Sequence, residues 1–345
     1  MTELPGALIA GRYRLIAEIG RGGCGVVWRA HDERLRRDVA AKEPLPPVRA
    51  DPARLAERRR RTLREARSAA RVAHPAAITV YDVAEHDGRP WLIMELINGR
   101  ALSSLVKRDG PLPPHRAARI GLQILGALQA AHAAGILHRD VKPANVLIGT
   151  LGGRDRAVLT DFGIAARADE PVPAGSVPVL GAPSYTAPER ARGEPAVPAS
   201  DLWSLGATLF YAVEGHRPYP AAGAGAARHA VLTCEPPYPV HAGPLAPVIT
   251  GLMRRDAADR LTAAQTAALL HQAIAPARHA RRPGPARAGR GAPAHTGRQA
   301  LAKAAALIAG RSDAGREHPR AASGPVPRQA LQPPARRRRR TDGTT

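Results

Sequence analysis

The stretch His138-Arg139-Asp140-Val141-Lys142-Pro143-Ala144-Asn145 places a carboxylate, an ammonium and an amide in one short loop, and Asp161-Phe162-Gly163 follows sixteen residues after Asn145. Few reactions need this set. Alignment of a hydroxyl with the last phosphate of a magnesium nucleotide is one that does. In that chemistry Asp140 orients the hydroxyl and accepts its proton, and Lys142 neutralises charge on the moving phosphoryl group. Asn145 and Asp161 hold the metal. Any one of these residues occurs in ordinary loops; the ordered set is hard to reach by chance.

Upstream, Gly20-Arg21-Gly22-Gly23-Cys24-Gly25 fits G-x-G-x-x-G, and Val27 completes it. Glycines let backbone approach phosphate oxygens with no Cβ in the way. Alone the pattern is more often just a hairpin, and a dinucleotide site would also fit it. Here strand-like sequence resumes after Gly25, where a dinucleotide site would open a helix. Val39-Ala40-Ala41-Lys42 then supplies a strand lysine. A lysine is more often merely solvated, so a functional Lys42 requires a helical carboxylate to position it. Glu65 is the best candidate and Glu57 the weaker one. Met94-Glu95-Leu96-Ile97 follows an apolar strand, and its backbone would meet an adenine edge; an ordinary strand end reads the same way. Glu189, in Ala187-Pro188-Glu189, is expected to be buried and so needs a partner, for which Arg260 is the natural choice. Asp201 reads as a helix N-cap or as an acceptor for the backbone of the His138–Asp140 turn. His138 is expected to be structural, packing against Phe162 with no proton transfer.

These residues need elements to hold them. Strands are expected at Tyr13 to Ile19, Gly25 to Ala30, Asp38 to Lys42, Ile78 to Val83 and Trp91 to Leu96. Asp51 to Val72 reads as a helix ending before His74-Pro75. Ile120, Ile124 and Leu128 recur at helical spacing, ending near Gly135. Asp201 to Glu214 is apolar around most of its circumference, which predicts a buried helix. Leu261 to Ile274 gives a last helix, with Thr262 as its N-cap. Strands first and helices later predict an α+β chain of two lobes, a small β-rich one and a larger helical one, with a cleft between.

Of the 345 residues, those after Ala275 contain no Phe, Trp or Tyr and carry sixteen Lys or Arg against three Asp or Glu. They hold +13 of the formal net charge of +22. Such a segment cannot bury enough apolar area to offset its chain entropy, so 276–345 is expected to be disordered. With two cysteines, Cys24 and Cys234, neither a disulfide framework nor a zinc spacing is available, which fits a reducing compartment. The N-terminus lacks a signal-peptide pattern, and the late apolar run from Ala300 to Ala309 is short and contains Lys303. The expected localisation is cytoplasmic.

In order and spacing these motifs resemble the protein kinases, specifically the bacterial eukaryotic-like (Hanks-type) serine/threonine kinases. The likeness covers about 11–275, with the first lobe over 11–95, the second over 98–275, a short extension at 1–10 and the tail at 276–345. It implies the bilobal fold and phosphoryl transfer from ATP to Ser or Thr hydroxyls of proteins, the chain itself among them. It implies Mg2+, or Mn2+ in its place, on Asn145 and Asp161. It further implies catalytic roles for Asp140, Lys142, Lys42 and Glu65, and a nucleotide site of Ile19, Gly20, Arg21, Gly22, Gly23, Cys24, Gly25, Val27, Ala40, Lys42, Met94, Glu95, Ile97 and Leu147. Lys142 looks like the serine/threonine branch.

Four features depart from the family's pattern. Cys24 stands where an aromatic is frequent. Ala182 stands where many relatives carry a Thr or Ser that contacts Asp140 and Lys142. Between Gly163 and Gly181 Ser176 alone offers a hydroxyl, although Arg139 resembles the residue that usually meets a loop phosphate. Many relatives continue into a membrane helix, and this sequence instead reaches Arg336–Arg340. A catalytically dead scaffold would have lost Lys42, Asp140, Asn145 or Asp161, and all four are present. Arg336–Arg340 suits an acidic or anionic partner; without interleaved aromatics nucleic acid is not favoured.

Overall fold

A computed structural model describes residues 5–22, 25–43, 60, 63, 66, 70–162, 183–220 and 223–275. Gly23, Cys24, Glu57, Glu65, Gly163, Ser176, Gly181, Ala182 and the tail with Arg336–Arg340 lie outside the described residues, as does most of the helix expected over 51–72.

Six strands form one antiparallel sheet: β1 (Leu8–Ile9), β2 (Tyr13–Gly22), β3 (Gly25–Asp32), β4 (Arg37–Glu43), β5 (Val80–His86) and β6 (Arg89–Met94). Their order is β1-β2-β3-β4-β6-β5. The two-residue period of a strand sorts the side chains. Val39 and Ala41 join Trp28, Ala30, Trp91 and Ile93 in a core on one face of the sheet. Ala40, Leu92 and Met94 belong to the larger core shared with the helical lobe. Lys42 lies on the second face, in step with Ala40. The strand expected from Ile78 instead begins at Val80 and runs to His86.

The second lobe contains a three-stranded sheet, β7 (Gly99–Ala101), β8 (Val146–Leu151) and β9 (Arg154–Leu159), and helices α1 (Leu102–Asp109), α2 (Pro114–Ala133), α3 (Pro188–Arg192), α4 (Pro198–Glu214), α5 (Ala224–Thr233), α6 (Ala246–Leu252) and α7 (Ala263–Ile274). α2 opens on Pro114, where a missing N–H costs nothing. α4 is the central element, with Trp203, Leu205, Leu209, Phe210 and Val213 all buried. It meets α6 closely at Gly206, where a Cβ would lie 2.8 Å from the Leu252 Cβ.

α7 starts at a reciprocal cap. The Gln265 N–H donates to Thr262 Oγ1 at 3.3 Å and the Thr262 N–H donates to Gln265 Oε1 at 2.9 Å. Thr262→Ala is therefore expected to cost about 1 kcal/mol in a denaturant titration, and Thr262→Asn to cost far less.

Backbone bonds join the lobes. Ile78 N–H donates to Leu159 O at 2.9 Å, and Leu159 N–H donates to Ala76 O at 2.8 Å. The segment before β5 is thereby laid along the end of β9, immediately before Asp161.

Candidate active site

The loop between α2 and β8 is held by a carboxylate beneath it. Asp201, 1% exposed on α4, accepts the His138 N–H at 2.9 Å on Oδ2 and the Arg139 N–H at 2.8 Å on Oδ1. Arg139 adopts φ +67°, a left-handed conformation unfavourable for a side chain of its size. Two charge-assisted bonds from one buried carboxylate fix that turn. Of the two sequence readings, Asp201 takes the second: it caps no helix end and binds the loop backbone. His132 Nε2 also reaches Asp201 Oδ2, at 2.8 Å. Sequence reasoning missed His132, whose only signal was its place in the last turn of α2, six residues before His138.

His138 is fully buried. The Asp140 N–H donates to its Nδ1 at 3.2 Å, so Nδ1 accepts. Nε2 lies 2.8 Å from the Thr160 carbonyl oxygen and must therefore carry the hydrogen. The ring is a neutral strut, its edge packed on Phe162 with centroids 4.8 Å apart. That ties the Asp140 loop to the segment carrying Asp161.

The chemistry-bearing groups then fall into two linked sets. Around Asp140, Lys142 Nζ donates to Oδ2 at 2.6 Å and Asn145 Nδ2 donates to the same oxygen at 3.0 Å. Asn145 Nδ2 also donates to the Asp140 carbonyl at 2.8 Å. Both amide hydrogens are used on this side, which turns the Asn145 Oδ1 the other way. Across the cleft, Lys42 Nζ of β4 donates to Asp161 Oδ1 at 2.6 Å. Asp161 itself sits at φ +63°, another left-handed residue at the site. The Thr160 N–H and hydroxyl both donate to the Asn145 carbonyl, at 2.9 and 3.2 Å, and so join the two sets.

Asn145 Oδ1 and the second Asp161 oxygen are hard donors. Mg2+ takes one or two protein oxygens and completes its shell with water and phosphate, so this pair fits it. Among the described residues no cluster of three His, Cys, Asp or Glu forms a protein-only metal cage.

The apolar side of the cleft is built from both lobes. Ala40 and Met94 face each other across β4 and β6 and lie in the larger core. Val27 and Ile97 pack against that core, and Leu147 is half-buried on β8. Ile19 and Arg21 are exposed near the end of β2, where Arg21 pairs with Glu18. The Glu95 side chain turns away from the cleft, gripped by both terminal nitrogens of Arg156 at 2.6 and 3.1 Å. Its N–H donates to Thr79 O. Glu95 would thus offer its carbonyl, not its carboxylate, to a ligand.

Below the site, Arg260 meets Glu189 through two bonds at 2.7 and 2.6 Å, both side chains being buried. Ser200, unmarked by sequence reasoning, adds a third donor to Glu189 at 2.6 Å. Burial, and then the neighbouring charge of Arg139, pushes the Arg190 guanidinium below its ordinary value.

A β-rich lobe and a helical lobe thus bring a lysine, two aspartates and an asparagine together between them. Over residues 13–272 the chain matches the protein kinase domain, and it belongs to that family. It is similar to the serine/threonine-protein kinase PknA of Mycobacterium tuberculosis, 42% identical over 198 residues, covering 56% of this chain and 44% of PknA. PknD of the same organism is 42% identical over 183 residues, covering 53% of this chain and 26% of PknD. The chain thus spans less than half the length of these curated relatives. The crystal structure of the PknI kinase domain from Mycobacterium tuberculosis is 28% identical with a TM-score of 0.58, covering 79% of this chain and 100% of that one. Among the described residues no helix is long and apolar enough to cross a membrane.

Proposed function

We propose that the chain is an ATP-dependent serine/threonine protein kinase that transfers the γ-phosphoryl group of Mg-ATP to protein hydroxyls, its own included, in the cytoplasm. The observation that carries this reading is the meeting of Lys42 with Asp161 and of Lys142 and Asn145 with Asp140 in one cleft. Kinase chemistry is mostly positioning plus electrostatics, with no covalent enzyme intermediate.

Each group has a task. Lys42, with Glu65 as its proposed helical partner, grips the α- and β-phosphates. Asp161 and Asn145 would hold the divalent ion, which would supply charge neutralisation for the nucleotide when bound. Asp140 orients the hydroxyl and takes its proton, and Lys142 balances charge on the phosphoryl oxygens. Gly20, Gly22, Gly23 and Gly25 approach the phosphates, and Ile19, Val27, Ala40, Met94, Ile97 and Leu147 enclose the base.

Mass spectrometry of the protein after incubation with Mg-ATP, alone and with a generic basic substrate, tests the reading. Phosphate on Ser or Thr is expected, and its absence under all divalent ions including Mn2+ would overturn it. Lys42→Met is expected to keep the fold, judged by an unchanged melting profile within a few degrees, and to lose at least 10²-fold in turnover.

A further inference from the structure

Glu43, the residue after Lys42, is 1% exposed although it is a carboxylate in a strand. A buried charge demands partners. Arg89 Nη1 at the start of β6 donates to Glu43 Oε1 at 2.8 Å, and the indole Nε1 of Trp28 on β3 donates to Oε2 at 3.4 Å. The strand pairing explains why these three meet. Val27 lies opposite Lys42 and Trp28 opposite Ala41, so Trp28 and Glu43 are diagonal neighbours on one face. Lys42 lies opposite Leu92, and Arg89, Trp91 and Ile93 alternate onto the face that carries Glu43. The clamp therefore spans three strands on the side of the sheet away from the cleft.

The far end of β4 is fixed by the β3–β4 hairpin, where Asp38 bonds Arg29 and His31; at the end that carries Lys42 the side-chain anchor is Glu43. Val39, Ala40 and Ala41 are small and apolar, and both faces of the strand are covered. With apolar residues on both faces, small side chains alone distinguish the faces weakly, and a one-residue shift exchanges the faces of every side chain. For β4 that exchange would turn Glu43 into the cleft and bury Lys42 in the apolar layer of Trp28, Trp91 and Ile93.

We propose that Glu43, clamped by Arg89 and Trp28, is a positioning residue that locks the register of β4 and so aims Lys42 into the nucleotide cleft. The inference rests on the kinase reading for the task of Lys42. The lock itself is independent of catalysis.

Apolar replacement of a whole buried ion pair is often neutral or stabilising, whereas loss of one member is not. The test is therefore the double variant Glu43→Leu/Arg89→Met in the full chain. It is expected to melt at or above the parent temperature, to show about tenfold higher KM for ATP, and to keep kcat within about twofold at saturation. Amide hydrogen exchange in β4 of the nucleotide-free protein is expected to accelerate about tenfold. Glu43→Gln, which keeps an acceptor for Trp28 and Arg89, is expected to recover most of the KM. A double variant with unchanged KM and unchanged β4 exchange overturns the lock. Faster exchange with unchanged KM overturns the link to Lys42. Lys42→Met measured alongside separates the two readings, because its full retention of activity would sink the assignment of Lys42 and leave the exchange result standing.

Discussion

Asp140→Asn is expected to lower kcat by about 10²- to 10⁴-fold while leaving ATP affinity near that of the parent. The geometry fixes the reason. Lys142 Nζ and Asn145 Nδ2 both donate to Oδ2 of Asp140, at 2.6 and 3.0 Å. An amide in place of the carboxylate would turn its oxygen to those two donors. Its NH2 group would then occupy the position of Oδ1, the atom left to face an incoming hydroxyl. Donor would meet donor, and no group would accept the proton. Nucleotide contacts assigned to Lys42, Asp161 and the glycine loop would remain. Single-turnover phosphate transfer with separately measured ATP binding decides the matter. Turnover within tenfold of the parent would remove Asp140 from its role.

Much of this site was legible because its members are close in sequence and chemically unusual. His138 to Asn145 form one loop, and Asp161-Phe162 needs only the β8–β9 hairpin to return beside it. The long helices were legible for a related reason: α2 and α4 bury wide apolar stripes that periodicity reveals. Other elements gave weaker signals. α5 is rich in Ala and Gly and buries only Ala227 and Val231, so it has almost no amphipathic contrast. α1 and α6 are eight and seven residues long, too short for a period to repeat. β7 has three residues and exists through pairing with β8. Contacts distant in sequence were hardest to see. Glu189 with Arg260 followed from a burial argument, but Ser200 as a third partner did not. Beyond its place near the His138 loop nothing marked His132, and nothing local marked Glu43, because an ordinary helical histidine and an ordinary strand carboxylate look the same in sequence.

Arg260→Ala is expected to destabilise the protein by about 3–5 kcal/mol, lowering the melting temperature by roughly 10 °C. Arg260 is fully buried, and its guanidinium serves α3, α4 and the loop before α7 together. Besides Glu189 it donates to the carbonyls of Arg254, Ala199 and Arg255, at 2.8, 2.9 and 3.1 Å, and it lies 5.1 Å from the Trp203 ring centre. Truncation would leave Glu189 buried with Ser200 as its remaining side-chain donor. The pH dependence identifies the mechanism. In the parent, burial pushes the Glu189 carboxyl up, but the bonds from Arg260 and Ser200, with the charge of Arg260, outweigh it and hold the group below its ordinary value of 4.5. A depressed carboxylate contributes stability above its unfolded value and loses it as pH falls through the folded value. Without Arg260 burial dominates and the folded value rises, so the variant instead loses stability as pH climbs above the ordinary carboxylate range. The stability gap between the two proteins should therefore widen from pH 4 to pH 7. Denaturant titrations across that range read it directly, and a gap independent of pH would show that lost packing, rather than an unpaired carboxylate, accounts for the damage.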